Sequence, residues 1–155
     1  MHTQPRATKT ATRFRQTCSI RCEIHAPAEG IWALLTDARR IPEWNSTVTS
    51  LDGEIALGRK LALVVPLDPK RTFRPKVTKL VANHAMEWSD GFAPMFRGVR
   101  TFTLTARTDG VTEFAMVEEF SGLMLPMIKR SLPDFAPAFE AYAADLKRAA
   151  EKGTP

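Results

Sequence analysis

Arg100 and Glu118 are the two charged residues whose positions suggest chemistry inside the protein. Each lies in a segment whose alternate residues are apolar, such as Phe102 in the first segment and Met116 in the second. Because successive side chains of a strand point to opposite faces, both charges are predicted to point inward with these apolar residues. Burying one charge alone costs several kcal/mol, so we expect the guanidinium and the carboxylate to form a buried ion pair.

The hairpin between the two segments sets their register. A three-residue turn at 109–111 would place Arg100 opposite Phe120 and Phe102 opposite Glu118, which makes the two charges diagonal neighbours. The pair then has two interpretations. It is either a self-satisfied structural pair, or Arg100 holds the carboxylate or another polar head of an amphipathic ligand, because its planar fork suits bidentate acceptors.

Glu118 is a weak candidate for a catalytic acid or base. An arginine beside a carboxylate favours the ionised form and lowers its pKa, which makes the group a poor acid near neutral pH. Asp90 has the same parity as Trp88 and is a lesser candidate for a polar group at the mouth of a cavity.

No other motif in the sequence carries recognisable chemistry. The three histidines, His2, His25 and His84, have no spacing that suggests metal ligation. No nucleophile elbow, phosphate-binding loop or dinucleotide fingerprint occurs, and the glycines stand singly at predicted turns. We therefore expect neither a metal nor a cofactor.

The elements that position these residues follow the order strand, short helices, six strands and a long helix. Apolar and polar residues alternate from Phe14 to Ile24, which indicates a half-buried strand. Pro27 then opens a helix, and a short helical turn at Pro42 precedes Trp44. Six further strands are bounded by Gly, Pro, Asn or Asp, and they span 48–51, 61–65, 72–81, 85–89, 100–106 and 112–120.

The chain closes with helical segments. One covers 123–132, and a longer one follows Pro133, has Asp134 as its N-cap and reaches residue 152. The chain has 155 residues, of which 44% are apolar and 25% charged, and this suffices for one domain with one core. The pattern predicts an α+β fold in which a seven-stranded curved antiparallel sheet wraps around the C-terminal helix, with two short helices after the first strand.

A sheet of seven strands is wider than one helix, so a gap is expected between them. A dry gap of about 300 Å³ would cost about 7 kcal/mol, which is comparable with the stability of a whole domain. Ligand, water or bulky side chains should therefore fill it. Five methionines and several aromatic residues lie between residues 86 and 127, and such a stripe is either ordinary core or the adaptable wall of a cavity.

The architecture favours the cavity. A gate is predicted where the loop 91–98 faces the segment 123–132, because the glycines and Pro133 provide hinges. The expected ligand-binding residues are Trp44, Phe73, Trp88, Phe92, Met95, Phe96, Arg100, Phe102, Met116, Glu118, Phe120, Met127 and Phe135.

The net charge of +5 is unevenly distributed. Residues 1–15 carry four basic residues and no acid, and we expect 1–12 to be a disordered basic tail before a single domain at 13–152. Residues 59–79 carry seven basic residues and one acid, without the aromatic interleaving of a nucleic-acid binder, so no nucleic acid is expected as a partner. This patch either protects an exposed sheet edge or makes transient contact with an anionic membrane surface.

The sequence contains no membrane or export signal. No apolar run approaches the roughly 20 residues that span a bilayer, and the N-terminus lacks the apolar stretch of a secretion signal. A cytoplasmic location is therefore expected.

Several segments carry a family resemblance. They are the opening strand with HAPAEGIWALLTDARRIPEWN at 25–45, the strand pair at 72–88, FRGVRTFTL at 96–104, EEFSGLMLP at 118–126 and FEAYAADLKRAAE at 139–151. Over roughly residues 14–152 the chain resembles the START-like, or SRPBCC, superfamily, which has a helix-grip fold and includes polyketide cyclases and dehydrases. The resemblance implies a deep hydrophobic cavity and leaves the ligand open, because one fold hosts many functions.

Three classes of function follow from this interpretation. The first is a carrier or sensor that binds a hydrophobic or amphipathic small molecule, lipid-like or polyketide-like, without changing it. The second is a cyclase or dehydratase, in which the cavity shapes an aromatic or polyketide-like substrate and Glu118 moves a proton. The third is a module that docks on a membrane or a protein through residues 59–79. We favour the first.

Overall fold

The computed structural model describes residues 4–152. Within them the strands are β1 Thr8–Ala11, β2 Arg15–Ile24, β3 Ser50–Asp52, β4 Ala62–Val65, β5 Asp68–Phe73, β6 Lys76–Val81, β7 Ala85–Phe92, β8 Phe96–Ala106 and β9 Thr112–Ser121. The α-helices are α1 Ala28–Thr36, α2 Ile41–Trp44, α3 Leu125–Ile128 and α4 Ala136–Lys152, and 3-10 turns lie at Ala38–Arg40 and Lys129–Ser131. None of these helices is long and apolar enough to cross a bilayer.

Two antiparallel sheets contain the strands. The larger sheet has the order β1-β2-β9-β8-β7-β6, and the smaller has the order β3-β4-β5. Helix α4 packs against β2 on one face of the larger sheet, here called the inner face, and buries Phe139, Tyr142 and Leu146 in the core. Asp134 accepts a hydrogen bond from the Ala136 N–H at 3.1 Å, but it lies one residue before the N-cap, because the Phe135 carbonyl accepts the first bond of the helix, from the Phe139 N–H at 2.9 Å. The α+β helix-grip fold is confirmed.

The N-terminal segment contains a strand, although residues 1–12 were predicted to be a disordered tail. Strand β1 pairs with β2 along its full length. The backbone N–H of Ala7 also donates to the Glu140 carboxylate on α4 at 2.9 Å. Local composition did not indicate this strand, because it carries no alternation of apolar residues and one of its two partners, α4, is distant in sequence. Residues 1–3 of the predicted tail lie outside the described residues.

The strand predicted at 72–81 is divided into two strands. Strand β5 ends at Phe73 and β6 begins at Lys76, because Pro75 between them has no N–H to donate to a ladder. The Pro75 carbonyl accepts a hydrogen bond from the Leu61 N–H at 2.8 Å instead. This break and the additional β1 give the described chain nine strands in two sheets where seven in one sheet were predicted.

The register between β8 and β9 differs from the prediction. Arg100 lies directly opposite Glu118 and not diagonal to it. The three-residue turn lies one residue earlier than predicted and is closed by a hydrogen bond from the Arg107 N–H to the Val111 carbonyl at 3.0 Å. Gly110 takes the last turn position with a φ of 74°, a left-handed conformation that a β-branched residue such as Val111 resists.

Candidate ligand cavity

Three rungs of directly paired side chains cross the inner face of the larger sheet. The first rung is Met86, Phe102, Met116 and Ile20, from β7, β8, β9 and β2. All four residues are at most 2% exposed, so this rung is solid core, except that Met116 also borders the larger of the two cavities described below.

The second rung is polar at its centre. Trp88, Arg100, Glu118 and Cys18 lie opposite one another on the same four strands. Each residue is two positions from its counterpart in the first rung, so its side chain points to the same face. This register places a guanidinium between an indole and a carboxylate.

The third rung reaches the edge of the inner face. It consists of Asp90, Gly98, Phe120 and Gln16, and Asp90 is exposed. Gly98 leaves room for an aromatic neighbour, because a Cβ at this position would lie 3.2 Å from the Phe120 ring. The Phe120 ring stacks on that of Phe96 with 5.9 Å between centroids.

Two adjoining cavities lie over these rungs. One has a volume of about 300 Å³ and the other of about 270 Å³. Residues that line both are Leu63, Val65, Leu67, Trp88, Arg100 and Phe135. The larger cavity extends toward α2 and α4, and its wall also includes Ile41, Val48, Leu51, Met116, Phe139 and Tyr142. The smaller one extends toward the segment before α4, and its wall also includes Phe73, Asp90, Phe96, Glu118, Phe120 and Leu132.

The predicted ion pair between Arg100 and Glu118 is present. The Arg100 Nε lies 3.4 Å from the Glu118 Oε2, and the two side chains are 20% and 14% exposed. The guanidinium carbon also lies 5.1 Å from the centroid of the Phe139 ring, within range of a cation–π interaction. The pair is therefore mostly buried, and the guanidinium contacts both the Glu118 carboxylate and the Phe139 ring.

The predicted lowering of the Glu118 pKa is wrong. Burial raises the pKa of this carboxyl and outweighs the opposing effect of the Arg100 charge and hydrogen bond, while Asp90 raises it further. The single hydrogen bond at 3.4 Å is long for a charged pair, so it compensates little of the lost hydration. The carboxyl is therefore a better acid candidate than the sequence suggested.

Two tryptophans carry indole N–H groups without partners. The Nε1 atoms of Trp44 and Trp88 are buried and have no hydrogen-bond partner within residues 4–152. Trp88 lines both cavities, whereas Trp44 lines neither and packs edge-on against the Tyr142 ring at 6.1 Å. Of these two tryptophans, Trp88 is therefore the one whose side chain borders the cavities.

The predicted gate is held closed by hydrogen bonds. Most of the supposed loop 91–98 belongs to β7 and β8, which leaves only 93–95 as the turn. The Leu123 N–H donates to the Pro94 carbonyl at 3.0 Å, and the Met124 N–H donates to the Met95 carbonyl at 2.9 Å. The two sides of the predicted gate are thus bonded to each other.

Residues 13–152 match the model of the family described as polyketide cyclase / dehydrase and lipid transport. The chain belongs to this family. Proteins of this START-like family generally bind hydrophobic ligands. No curated protein matches the sequence.

Several solved structures share the fold of this family member at low sequence identity. Protein MLL2253 from Mesorhizobium loti is 22% identical, with a TM-score of 0.69 over 90% of this chain and 99% of that one. A START superfamily protein from Mycobacterium smegmatis is 18% identical, with a TM-score of 0.65 over 89% and 99% of the two chains. Norcoclaurine synthase from Thalictrum flavum is 13% identical, with a TM-score of 0.70 over 92% and 98%. These likenesses concern the fold.

The structure brings eight of the thirteen predicted binding residues to the cavity walls. These eight are Phe73, Trp88, Phe96, Arg100, Met116, Glu118, Phe120 and Phe135. The prediction of Asp90 at the cavity edge also agrees with its position in the wall of the smaller cavity.

The other five predicted residues lie outside both cavity walls. Phe102 is 1% exposed and belongs to the solid first rung, where it packs between Trp88 and Tyr142. Phe92 and Met127 are 71% and 78% exposed, because they lie beyond the third rung and on the outer side of α3. Met95 occupies the turn between β7 and β8, and Trp44 packs in α2.

Sequence reasoning placed the gap between the sheet and the C-terminal helix, but it missed the smaller sheet and the α4 residues that line the cavities. Leu63, Val65 and Leu67 cover the rungs from β4 and its turn, and Tyr142 faces them from α4. Alternation in β4 could have indicated an inward face, but nothing local says that this face meets the larger sheet.

The basic segment 59–79 forms much of the smaller sheet and strand β6. Its Arg71 lines the smaller cavity and lies over the Phe73 ring, with 4.5 Å between the guanidinium carbon and the centroid. The docking role of this segment stays a prediction.

Within residues 4–152, no group of three His, Cys, Asp or Glu side chains is placed to hold a metal ion.

Proposed function

We propose that this protein binds a hydrophobic or amphipathic small molecule in the two adjoining cavities and acts as its carrier or sensor. The observation that carries the proposal is the pair of cavities of about 300 and 270 Å³ between the inner face, α4 and the smaller sheet. Their common wall is apolar except at Arg100 and the indole N–H of Trp88.

The energetics of empty space support an occupant. The two cavities are partly open to solvent, so their apolar walls are exposed to water when empty, at a cost of about 25 cal/mol for each Å². A wall of leucine, valine and phenylalanine side chains offers water few hydrogen-bond partners, so water is a poor filler over most of the surface. An apolar molecule removes this cost and gains contact with the wall.

One similar structure supports the size of the molecule. Norcoclaurine synthase from Thalictrum flavum, 13% identical to this chain over 91% of it, has been solved in complex with dopamine and hydroxybenzaldehyde. The fold thus accommodates small aromatic molecules in that protein. The aromatic rings of Trp88, Phe120 and Phe135 would suit such molecules here.

A neutral fluorescent probe tests the proposal. N-phenyl-1-naphthylamine should bind the purified protein with micromolar affinity, and native mass spectrometry should detect small molecules retained from expression. Ala141 lines the larger cavity from α4, so the bulkier side chain of Ala141→Leu should weaken probe binding at least fivefold. Ala144→Leu on the same helix, outside both walls, should leave the affinity within twofold. Absence of probe binding, or equal effects of both variants, would contradict the proposal.

A cyclase or dehydratase activity is the second candidate. It is favoured by Glu118, which lines the smaller cavity and whose pKa is raised by burial, as suits a general acid near neutral pH. A β-keto substrate held against this wall would meet the carboxyl. Glu118→Gln should then abolish turnover while the neutral probe still binds, and turnover that survives the substitution would exclude this role.

A further inference from the structure

We propose that the junction of the two cavities is a carboxylate-binding site, formed by the guanidinium of Arg100 and the indole N–H of Trp88, so that the bound molecule is a hydrophobic carboxylic acid. This inference rests on the proposed function and names the chemical class of its ligand.

The Trp88 indole supplies the first argument. The residue is 6% exposed, its Nε1 is buried, and this atom has no hydrogen-bond partner within residues 4–152. A buried donor without a partner costs about 1–3 kcal/mol, which native proteins seldom tolerate without a reason. Because the side chain lines both cavities, a small shift of the indole toward the junction on binding would let an acceptor atom of the ligand satisfy this donor.

Arg100 supplies the second argument. Its Nε is the nitrogen that bonds Glu118, and its terminal nitrogens make no hydrogen bond to the residues that the structure describes. A guanidinium carries five N–H donors in a planar fork, so four of them stay available. The side chain lines both cavities, and its guanidinium carbon lies 5.1 Å from the centroid of the Phe139 ring, so the guanidinium is held in the wall that the two cavities share.

The register brings the two donor groups together. Trp88 and Arg100 lie directly opposite each other on β7 and β8. Directly opposed residues of an antiparallel pair have Cβ atoms about 4.5–5.5 Å apart, so both side chains can reach one ligand group. Two donors and one positive charge match the two oxygens and the negative charge of a carboxylate.

The neighbouring acids make this arrangement selective. The smaller cavity has three carboxyl groups in its wall, Glu118 on β9, Asp90 on β7 and Asp68 at the start of β5, and Arg71 is a second cation there. The Cys18 thiol faces Glu118 from β2. A cationic ligand would meet the Arg100 charge at the junction, and a neutral alcohol offers a single oxygen and no charge. Burial raises the pKa of Glu118, so this carboxyl can take up a proton when a ligand binds. The Arg100 guanidinium would then pair with the carboxylate of the ligand and no longer with Glu118.

Displacement of N-phenyl-1-naphthylamine by decanoate and by decan-1-ol at pH 7.5 tests the inference. The two competitors share a ten-carbon chain and differ in the head group. Decanoate should bind at least tenfold more tightly than decan-1-ol, although the alcohol is the less soluble in water. Probe binding without this preference would overturn the carboxylate site alone, whereas absence of probe binding would overturn the proposed function.

Two variants with a matched control locate the site. Trp88→Phe removes the N–H but keeps an aromatic ring in the cavity wall, so it should reduce the preference for decanoate over decan-1-ol about tenfold, whatever common change the smaller ring causes in the binding of probe and alcohol. Trp44→Phe removes the other unpartnered indole N–H, which lies outside both walls, and should change none of the three affinities. An equal loss in both tryptophan variants would overturn the assignment.

The role of Arg100 is tested in a variant that does not leave the Glu118 carboxylate without its cation. The double variant Arg100→Gln with Glu118→Gln replaces the ion pair by two amides and should reduce the preference for decanoate to less than twofold. A preference that persists in this double variant would overturn the role of Arg100, even if Trp88→Phe proves too unstable to measure.

Discussion

Replacing Arg100 with methionine, while Glu118 is retained, should destabilise the fold in a pH-dependent way. Methionine keeps apolar contact with the Phe139 ring, which lies 5.1 Å from the guanidinium carbon in the native protein. It leaves the Glu118 carboxylate, 14% exposed, without its cation. The carboxyl must then stay charged at a buried site or take up a proton.

The protonation route sets the magnitude of the loss. The ordinary pKa of the glutamate side chain is 4.5, so keeping Glu118 protonated costs about 3.4 kcal/mol at pH 7 and about 0.7 kcal/mol at pH 5, at about 1.36 kcal/mol per pH unit. Burial already raises this pKa in the wild type, so part of the cost precedes the substitution. We expect Arg100→Met to lose about 2–3 kcal/mol at pH 7 and less than about 1 kcal/mol at pH 5.

The sign follows from the direction of the shift. A carboxyl whose pKa is higher in the folded than in the unfolded protein binds its proton more tightly when folded. Its contribution to stability is therefore complete below pH 4.5 and is lost as the pH rises through the folded pKa. Removing the Arg100 charge raises the folded pKa further, so the loss extends to higher pH in the variant than in the wild type.

Thermal unfolding followed by circular dichroism measures this loss. The Tm of Arg100→Met should fall by about 4–12 °C at pH 7 and by less than about 4 °C at pH 5. The matched control is Arg15→Met, which breaks an ion pair with Glu119 of similar length, 3.5 Å, whose side chains are 64% and 38% exposed. An exposed pair contributes at most about 1 kcal/mol. Equal losses at the two pH values, or an equally damaging control, would refute the reasoning.

Two further predictions concern the backbone and the thiols. Gly122 has a φ of 133°, and a Cβ at this position would lie 2.2 Å from the Met95 carbonyl oxygen, so Gly122→Ala should lower the free energy of unfolding in urea by roughly 1–3 kcal/mol. The control Gly30→Ala in α1 should be neutral or stabilising, and equal effects of the two substitutions would contradict the prediction. Burial raises the pKa of both Cys18 and Cys22 to about 11, so about one thiol in a thousand is ionised at pH 8. Iodoacetamide should label the folded protein far more slowly than the urea-unfolded protein, and similar rates would disprove the effect.

The inward direction of the central charges could be predicted from the sequence because it depends on a local rule. A strand alternates its side chains with a period of two, so the parity of Phe102 and Met116 indicates the face of Arg100 and Glu118. The register between their strands could not be predicted in the same way, because the turn conformation moves it by two residues. Gly110 took the left-handed position, and the predicted diagonal pair became a direct one.

The lining of the cavities could be predicted only in part. Parity distinguishes an inward aromatic from an outward one, but it does not distinguish a core residue from a cavity residue on the same face. Phe102 and Phe120 have the same parity, yet the first belongs to the solid rung and only the second meets the cavity. The difference depends on which part of the inner face the smaller sheet and α4 cover.

The amino-acid sequence by itself determined the order of the elements, the face of each strand that is apolar and the family to which the chain belongs. The element order and the apolar faces follow from local periodicity and from turn residues, and the family follows from sequence segments that resemble those of its members. Tertiary structure decided that burial outweighs the Arg100 charge in setting the pKa of Glu118, and that the indole N–H of Trp88 has no hydrogen-bond partner among the described residues. Both depend on which atoms distant parts of the chain bring close and which they leave apart, and no stretch of sequence contains that information.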